Sequence, residues 1–163
     1  MNHEHRKAPR PLESAVLREC LRIAERMEVP CWRRNVSAQT IAATSGAKRR
    51  FIRSGQPGQS DLWGFLPKWS RRPGVHFECE IKRLGEAPRY EQAVWLRQCN
   101  EVSAAAFWCD NTETFARVLQ AVCEGKQIVY PYDHFQGVDY RVTIPGTKKT
   151  RVIRGPSYEY DLI

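Results

Sequence analysis

The sequence lacks the features that mark membrane, secreted and zinc-binding proteins. It contains no run of about 18 apolar residues, so no membrane-spanning helix is expected. The charged start at residues 1–7 leads into no apolar stretch, so a secretory signal is not expected either. The six cysteines form no Cys-x-x-Cys pair, and the four histidines show no ligand spacing. We therefore predict reduced thiols in a cytoplasmic protein, not disulfides or a zinc site.

Acidic residues are also fewer than basic ones. The 163 residues include 26 Lys and Arg against 18 Asp and Glu, which gives a net charge of +8. This balance favours a polyanionic partner, of which nucleic acid is the obvious one. The alternative is a generally basic soluble protein, which charge alone does not exclude. The length and a hydrophobic fraction of 42% predict one globular domain with a real core.

The segment at residues 77–82 alternates apolar and charged side chains at every position. This period predicts a strand with Glu78, Glu80 and Lys82 on one face and the apolar residues toward a core. Asp61 follows a Gly- and Pro-containing stretch and opens an apolar segment, so it is predicted to begin a second strand. If the turn at residues 67–74 joins the strands antiparallel, Asp61 comes close to Glu80 and Lys82.

Two carboxylates with a lysine suit phosphodiester hydrolysis. Mg²⁺ and similar hard cations prefer oxygen ligands, usually one or two carboxylates with waters and phosphate. A bound ion polarises the phosphate and activates water, and a neighbouring lysine can neutralise charge that builds on the phosphate. The alternative is an ordinary half-buried strand whose charges face solvent, as on many open sheets.

Three motifs, in this order and spacing, resemble the VRR-NUC family of the PD-(D/E)xK nuclease superfamily. They are residues 58–64 (Gly-Gln-Ser-Asp-Leu-Trp-Gly), residues 77–83 (Phe-Glu-Cys-Glu-Ile-Lys-Arg) and Glu91-Gln92. The similarity extends from about residue 13 to about residue 115. Ser60 departs from the family, which usually has proline before the aspartate, but this position carries no chemistry.

The resemblance implies a restriction-endonuclease-like α/β core, with a central mixed sheet flanked by helices, and a site for one or two Mg²⁺ or Mn²⁺ ions. The implied metal ligands are Glu13, Asp61, Glu80 and the main-chain carbonyl of Ile81, with Lys82 and Gln92 as further catalytic residues. Two simpler interpretations stay open. An acidic residue at position 13 also complements a helix dipole, and Gln92 also suits an exposed helix surface.

Basic residues outside these motifs are candidates for DNA contacts. One group surrounds residues 37–48, predicted to be a long loop without regular structure. A second group lies with Trp69 in the turn at residues 67–74, a combination that suits phosphate contact or base stacking. The alternatives are a solvated basic loop, and a Trp69 that covers the core edge. The predicted DNA-binding residues are Arg33, Arg34, Lys48, Arg49, Arg50, Arg53, Lys68, Arg71, Arg72 and Arg83.

Outside the site we predict helices at residues 11–27, at 88–101 and after the possible cap at 110–112. Short strands are predicted at 31–36 and 51–53, and a buried one at 103–109. The nuclease-like core is assigned to residues 1–125. A β-rich C-terminal extension, residues 126–163, is predicted to pack on the same domain.

Together these features predict a metal-dependent, structure-specific DNA endonuclease, similar to a Holliday-junction resolvase and acting as a homodimer without membrane association. It would act at the nucleoid of a cell, or in the host cytoplasm if phage-encoded. A flap or other repair endonuclease or nickase, and a non-catalytic basic DNA-binding protein, are the alternatives. Aromatic residues of the extension are expected either to form the dimer interface or to cover the protein's own core. They are Tyr130, Tyr132, Phe135, Tyr140, Tyr158 and Tyr160.

Overall fold

The structure, a computed structural model, describes residues 11–34, 38–41, 50–53, 55–130 and 137–163, and gives only the backbone for the two short segments. The described residues form a mixed α/β structure, as the sequence predicts. In chain order the elements are α1 (Glu13–Arg26), β1 (Cys31–Arg33), β2 (Ala38–Ile41), β3 (Arg50–Arg53), β4 (Leu62–Phe65), β5 (His76–Ile81), α2 (Tyr90–Glu101), β6 (Ala105–Cys109), α3 (Thr112–Cys123), β7 (Ile128–Val129), β8 (Val138–Thr143), β9 (Thr150–Gly155) and β10 (Asp161–Leu162).

The central sheet has the strand order β1-β4-β5-β6. The predicted antiparallel pairing of β4 and β5 is confirmed, with Leu62 opposite Cys79. Strand β6 then pairs parallel with β5, because the chain crosses over through helix α2 before it returns to the sheet. The sheet is therefore mixed. Its two central strands, β4 and β5, run antiparallel, so the start of β4 lies next to the end of β5, near Asp61.

Helices cover both faces of this sheet. One face carries Phe77 and Phe107, both fully buried, and the Phe107 ring lies 6.0 Å from that of Phe115 in α3. Helix α1 joins α3 on this side, and its buried stripe includes Leu17 and Cys20 at helical spacing. Helix α2 packs against β5 and β6. Because β5 alternates, its acidic side chains point toward α2 and its apolar ones toward α1 and α3.

Sulfur atoms gather in the core between α1 and the sheet. All six cysteines are free thiols, and the Sγ atoms of Cys79 and Cys109 lie 3.7 Å apart. Burial raises the pKa of the Cys79 thiol to about 11. Hydrogen bonding with Cys109 and then burial raise the pKa of Cys20 far above its ordinary range. Thiols held neutral in this way are chemically inert.

The C-terminal segment packs against strand β6 of the same chain. The hydroxyls of Tyr130 and Tyr160 donate to the carbonyl oxygens of Ala106 and Trp108, at 3.2 and 3.0 Å. In return the Trp108 indole donates to the carbonyl oxygen of Tyr158 at 2.7 Å. Strands β7 and β10 pair beside this edge. The segment thus covers a sheet edge that would otherwise present unpaired backbone groups.

These contacts decide how the C-terminal rings are used. Tyr130 and Tyr140 are buried, and Tyr160 packs against the core cluster. The rings of Tyr140 and Tyr158 pack against each other, 6.4 Å apart. Of the two alternatives for this aromatic set, these contacts support packing on the protein's own chain for these four residues, and the dimer stays a prediction. The remaining two, at positions 132 and 135, lie outside the described residues.

Two further findings concern the rest of the chain. The predicted absence of regular structure at residues 37–48 is wrong for β2 (Ala38–Ile41), which pairs antiparallel with β3. The other residues of that segment lie outside the described part. None of the helices in the described ranges is long and apolar enough to cross a membrane.

Candidate active site

The candidate active site lies where the beginning of β4, the end of β5 and the first turn of α2 meet. The register of β4 and β5 places Asp61 beside the end of β5, and its Oδ2 accepts a hydrogen bond from the Ile81 amide at 3.0 Å. The loop before Asp61 packs against α2 at Gly58, which has a φ of +88°. A Cβ there would collide with the carbonyl of Glu91. Glycine thus allows the loop to approach the helix closely.

Glu80 is the centre of the site. Its side chain is 1% exposed, and its Oε1 accepts hydrogen bonds from Lys82 Nζ at 2.5 Å and from Gln92 Nε2. Its other oxygen, Oε2, is buried and has no hydrogen-bond partner among the described residues. Such an oxygen is unfavourable in a folded protein unless something else satisfies it.

The electrostatics around Glu80 are unbalanced. Burial is the largest cause that raises the pKa of its carboxyl to about 8, and the negative charge of Asp61 is the next. Lys82 opposes this shift, while Glu13 adds to it. The predicted carboxylates Asp61 and Glu13 thus both disfavour ionisation of the buried Glu80, and the positive charge of Lys82 does not offset burial and these charges together. A further positive charge would relieve this repulsion.

The predicted metal ligands fit a divalent cation in part. The donors are oxygens, as Mg²⁺ and Mn²⁺ prefer, and the unsatisfied Oε2 of Glu80 is an available ligand atom. Within the described ranges, however, no three His, Cys, Asp or Glu side chains form a group that could hold an ion. The fit is therefore to an ion held by one or two carboxylates, Asp61 and Glu80, with waters and substrate oxygens. Ligand roles for Glu13 and the Ile81 carbonyl stay predictions.

Lys82 and Gln92 are both part of the site. Lys82 is buried, so it is not a solvated strand residue. Gln92 occupies the first turn of α2, where its Oε1 accepts from the Arg89 amide at 2.8 Å. This capping contact orients the amide so that Nε2 faces Glu80. The alternative of an exposed surface amide is excluded, because this side chain bridges the helix and the carboxylate.

A second buried carboxylate, Glu78, was placed on the same strand face by the sequence but was given no role. It accepts a two-pronged ion pair from Arg34 at 2.9 and 3.1 Å, and bonds from His76 at 3.0 Å and Trp95 at 2.5 Å. Burial alone would raise the pKa of Glu78, but these hydrogen bonds outweigh it and lower that pKa. The strand alternation signals Glu78 and Glu80 equally, and only their neighbours distinguish them.

Comparisons with protein-family models, with curated proteins and with solved structures find no match for this chain. The resemblance to VRR-NUC nucleases therefore depends on the quoted motifs.

The predicted DNA-binding residues are dispersed. Arg33 is opposite Leu62, at the Asp61 end of the sheet, and is exposed. Arg83 is exposed immediately after Lys82. Arg83 remains a candidate beside the site. Arg33 shares the sheet face of its partner Leu62, which is opposite to the face of Asp61, so its DNA contact stays a prediction away from the carboxylates. The Arg34 guanidinium is instead engaged with Glu78, so it holds the fold together whatever else it contacts. Lys48 and Arg49 lie outside the described residues, and for Arg50 and Arg53 only the backbone of β3 is described.

The basic turn lies at the far end of the β4–β5 hairpin. Strand β4 has four residues, so about 13 Å of strand, at ~3.3 Å per residue, separates Lys68, Arg71 and Arg72 from Asp61. The turn packs on α3, because the Arg71 amide donates to the Cys123 carbonyl at 2.8 Å. These cations therefore do not line the candidate site.

Proposed function

We propose that this chain is a Mg²⁺- or Mn²⁺-dependent DNA endonuclease of the VRR-NUC type, with a restriction-endonuclease-like core. The observation that carries the proposal is the buried Glu80, with one oxygen bound by Lys82 and Gln92 and the other lacking a partner among the described residues. The nearby Asp61 carboxylate raises the pKa of Glu80. A structural carboxylate would be satisfied on both oxygens, as Glu78 is.

The chain's own residues supply position and charge. When bound, the ion would polarise the scissile phosphate and lower the pKa of a bound water. Asp61 is oriented by the Ile81 amide, and Glu80 by Gln92, so both carboxylates are held in place before substrate arrives. Among the described residues, Lys82 is the cation that pairs with Glu80, at 2.5 Å. It would stabilise negative charge that develops on the phosphate.

DNA is the proposed substrate, with the cytoplasm as the proposed location. The net charge of +8 and the exposed Arg83 beside the site support a polyanionic partner. A resolvase-like homodimer remains the form implied by the motif resemblance. The second candidate, a flap or nicking nuclease, is favoured by the C-terminal rings, since those that would join two copies pack within one chain.

The test compares cleavage of labelled four-way junction, flap, single-stranded and plain duplex DNA, with and without Mg²⁺ or Mn²⁺. We expect metal-dependent cutting that Asp61→Asn and Glu80→Gln each reduce at least ~100-fold, because each removes charge that would contact the ion. DNA binding in both variants should persist. Glu101→Gln, an exposed carboxylate at the end of α2, is the control and should cut normally.

Three outcomes would contradict the proposal or its parts. Normal cutting by either site variant would remove these carboxylates from the chemistry. Binding without cleavage of any substrate would favour the non-catalytic DNA-binding alternative. A monomer mass in light scattering, unchanged by junction DNA, would exclude the paired cut and leave the flap or nicking nuclease.

A further inference from the structure

The strands beside the candidate site carry a row of aromatic rings, here called the aromatic platform: Trp32, Trp63, Phe65 and His76. Trp32 of β1 lies opposite Trp63 of β4, with ring centroids 5.0 Å apart. Phe65 lies opposite His76 of β5 at 5.5 Å, and its ring is 6.0 Å from that of Trp63. The rings thus form one continuous surface across three strands.

This platform is exposed where folding alone would bury it. Trp32 is 47% and Phe65 41% exposed, although large aromatic side chains stabilise proteins chiefly by burial. Its inner side is fixed, however. The Arg34 guanidinium lies 6.0 Å from the Trp63 ring centre and pairs with Glu78, which His76 also contacts. The rings are therefore held in a defined arrangement before any partner binds.

The platform continues the face of the sheet that carries the candidate site. Alternate residues of a strand share a face, so Asp61, Trp63 and Phe65 point to the same side of β4, as do His76, Glu78 and Glu80 in β5. Asp61 and Phe65 are four residues apart, so at ~3.3 Å per residue this face extends about 13 Å from one to the other. This length matches roughly four stacked bases at ~3.4 Å each.

The chemistry of the platform favours unpaired bases over a second protein copy. For whole aromatic side chains of ~150–250 Å², the exposed parts of Trp32 and Phe65 amount to about 200 Å². A stable dimer needs ~800 Å² per partner. Bases stack on indole and phenyl rings regardless of sequence, and the net charge of +8 attracts their phosphates. Bases inside a duplex are already stacked on one another, so the platform suits a strand without a partner.

We propose that the aromatic platform stacks unpaired bases of a DNA strand whose backbone crosses the candidate site. The substrate class is then DNA with a single-stranded segment next to the cut, such as a flap or an opened branch. This inference rests on the proposed nuclease function for its biological meaning. The stacking itself is a binding property and is measurable without cleavage.

The experiment measures affinity in EDTA, so that no cleavage occurs, for a fluorescein-labelled oligo-dT and for a blunt duplex of equal length. Trp32→Ala should weaken oligo-dT binding roughly 5- to 150-fold, the equivalent of ~1–3 kcal/mol for one stacked base. Duplex affinity should change less than about 2-fold. Trp32→Phe keeps an aromatic face and should restore most of the affinity. Val152→Ala removes a 61% exposed apolar side chain in β9, outside the platform, and is the control.

The outcomes are separable from those of the cleavage test. Unchanged oligo-dT affinity in Trp32→Ala, or an equal loss for duplex or in Val152→Ala, overturns the platform even if the protein cuts DNA. If the wild type is a dimer and the Trp32→Ala variant is a monomer, a second copy of the chain occupies the platform, and the stacking proposal is overturned. Selective loss of oligo-dT binding supports stacking even if no substrate is cleaved. Circular dichroism confirms that each variant is folded.

Discussion

The buried carboxyl of Glu80 should make the metal-free protein less stable as the pH rises. The pKa of this group is raised from 4.5 to about 8 in the folded chain, chiefly by burial. Below pH ~4.5 it is protonated in both the folded and the unfolded state, so it contributes no penalty. Between these values the unfolded chain releases the proton and the folded chain keeps it. Stability therefore falls through this window, and the fall is complete above pH ~8.

The size of the effect follows from the shift. At about 1.4 kcal/mol per pKa unit, the penalty has an upper bound on the order of 5 kcal/mol. We expect a loss of a few kcal/mol in the free energy of unfolding, because relaxation and water penetration lower the real cost of a buried charge. The opposing effect of Lys82 is already included in the raised pKa. Glu80→Gln has nearly the same shape and cannot ionise. The variant should lack this loss and be more stable than wild type at pH 8.

Urea denaturation in EDTA, at half-unit steps from pH 5 to 8.5, measures this difference directly. The exposed Glu101→Gln variant is the control for an acid-to-amide change and should keep the wild-type pH dependence. Parallel curves for wild type and Glu80→Gln would refute the reasoning, since they would mean that Glu80 ionises as freely in the folded chain as in water.

Three further predictions follow from the same contacts. Mg²⁺ or Mn²⁺ at about 100 times its Kd should stabilise the wild type by ~2.7 kcal/mol at pH 8 and leave Glu80→Gln unchanged in thermal melting; equal shifts would place the ion elsewhere. Gly58→Ala should destabilise the fold by about 2 kcal/mol or more in urea, since φ is +88° and a Cβ meets the α2 backbone; an unchanged midpoint would contradict the close approach. Arg34→Ala should destabilise by ~3 kcal/mol, because the buried Glu78 loses its ion-pair partner and keeps only its contacts with His76 and Trp95. The salt dependence of DNA binding should change little; the reverse pattern would make Arg34 a phosphate contact.

The sequence predicted the parts of the fold that depend on local periodicity. Alternation at residues 77–82 identified β5 (His76–Ile81), and the Gly- and Pro-containing stretches located the start of β4. Once those strands are antiparallel neighbours, the approach of Asp61 to Glu80 follows from geometry alone. The helices were found to within a few residues, because their apolar stripes and the Asn111 cap are local signals.

The features that sequence reasoning missed depend on contacts between distant residues. Nothing local distinguishes Glu78 from Glu80, since partners brought from β1 and α2 decide which is satisfied. Strand β2 was overlooked because Ala38–Ile41 has too little alternation to be recognised without its partner β3. The same holds for the C-terminal tyrosines. Their aromatic character suits an interface or a core equally. Only the edge of β6, to which they bind, determines that they cover their own chain.

The sulfur atoms behind the site provide a natural reporter. Cys79 and Glu80 are neighbours in one strand and point to opposite sides of the sheet, so a movement of β5 that exposes one disturbs the other. Because the Cys79 thiol is fully buried and its pKa is raised, a thiol reagent reaches it only when the strand opens. The half-buried Cys31 provides an internal reference in the same sample. Slower labelling of Cys79 in the presence of a divalent ion would then reveal occupancy of the opposite face, without any substrate.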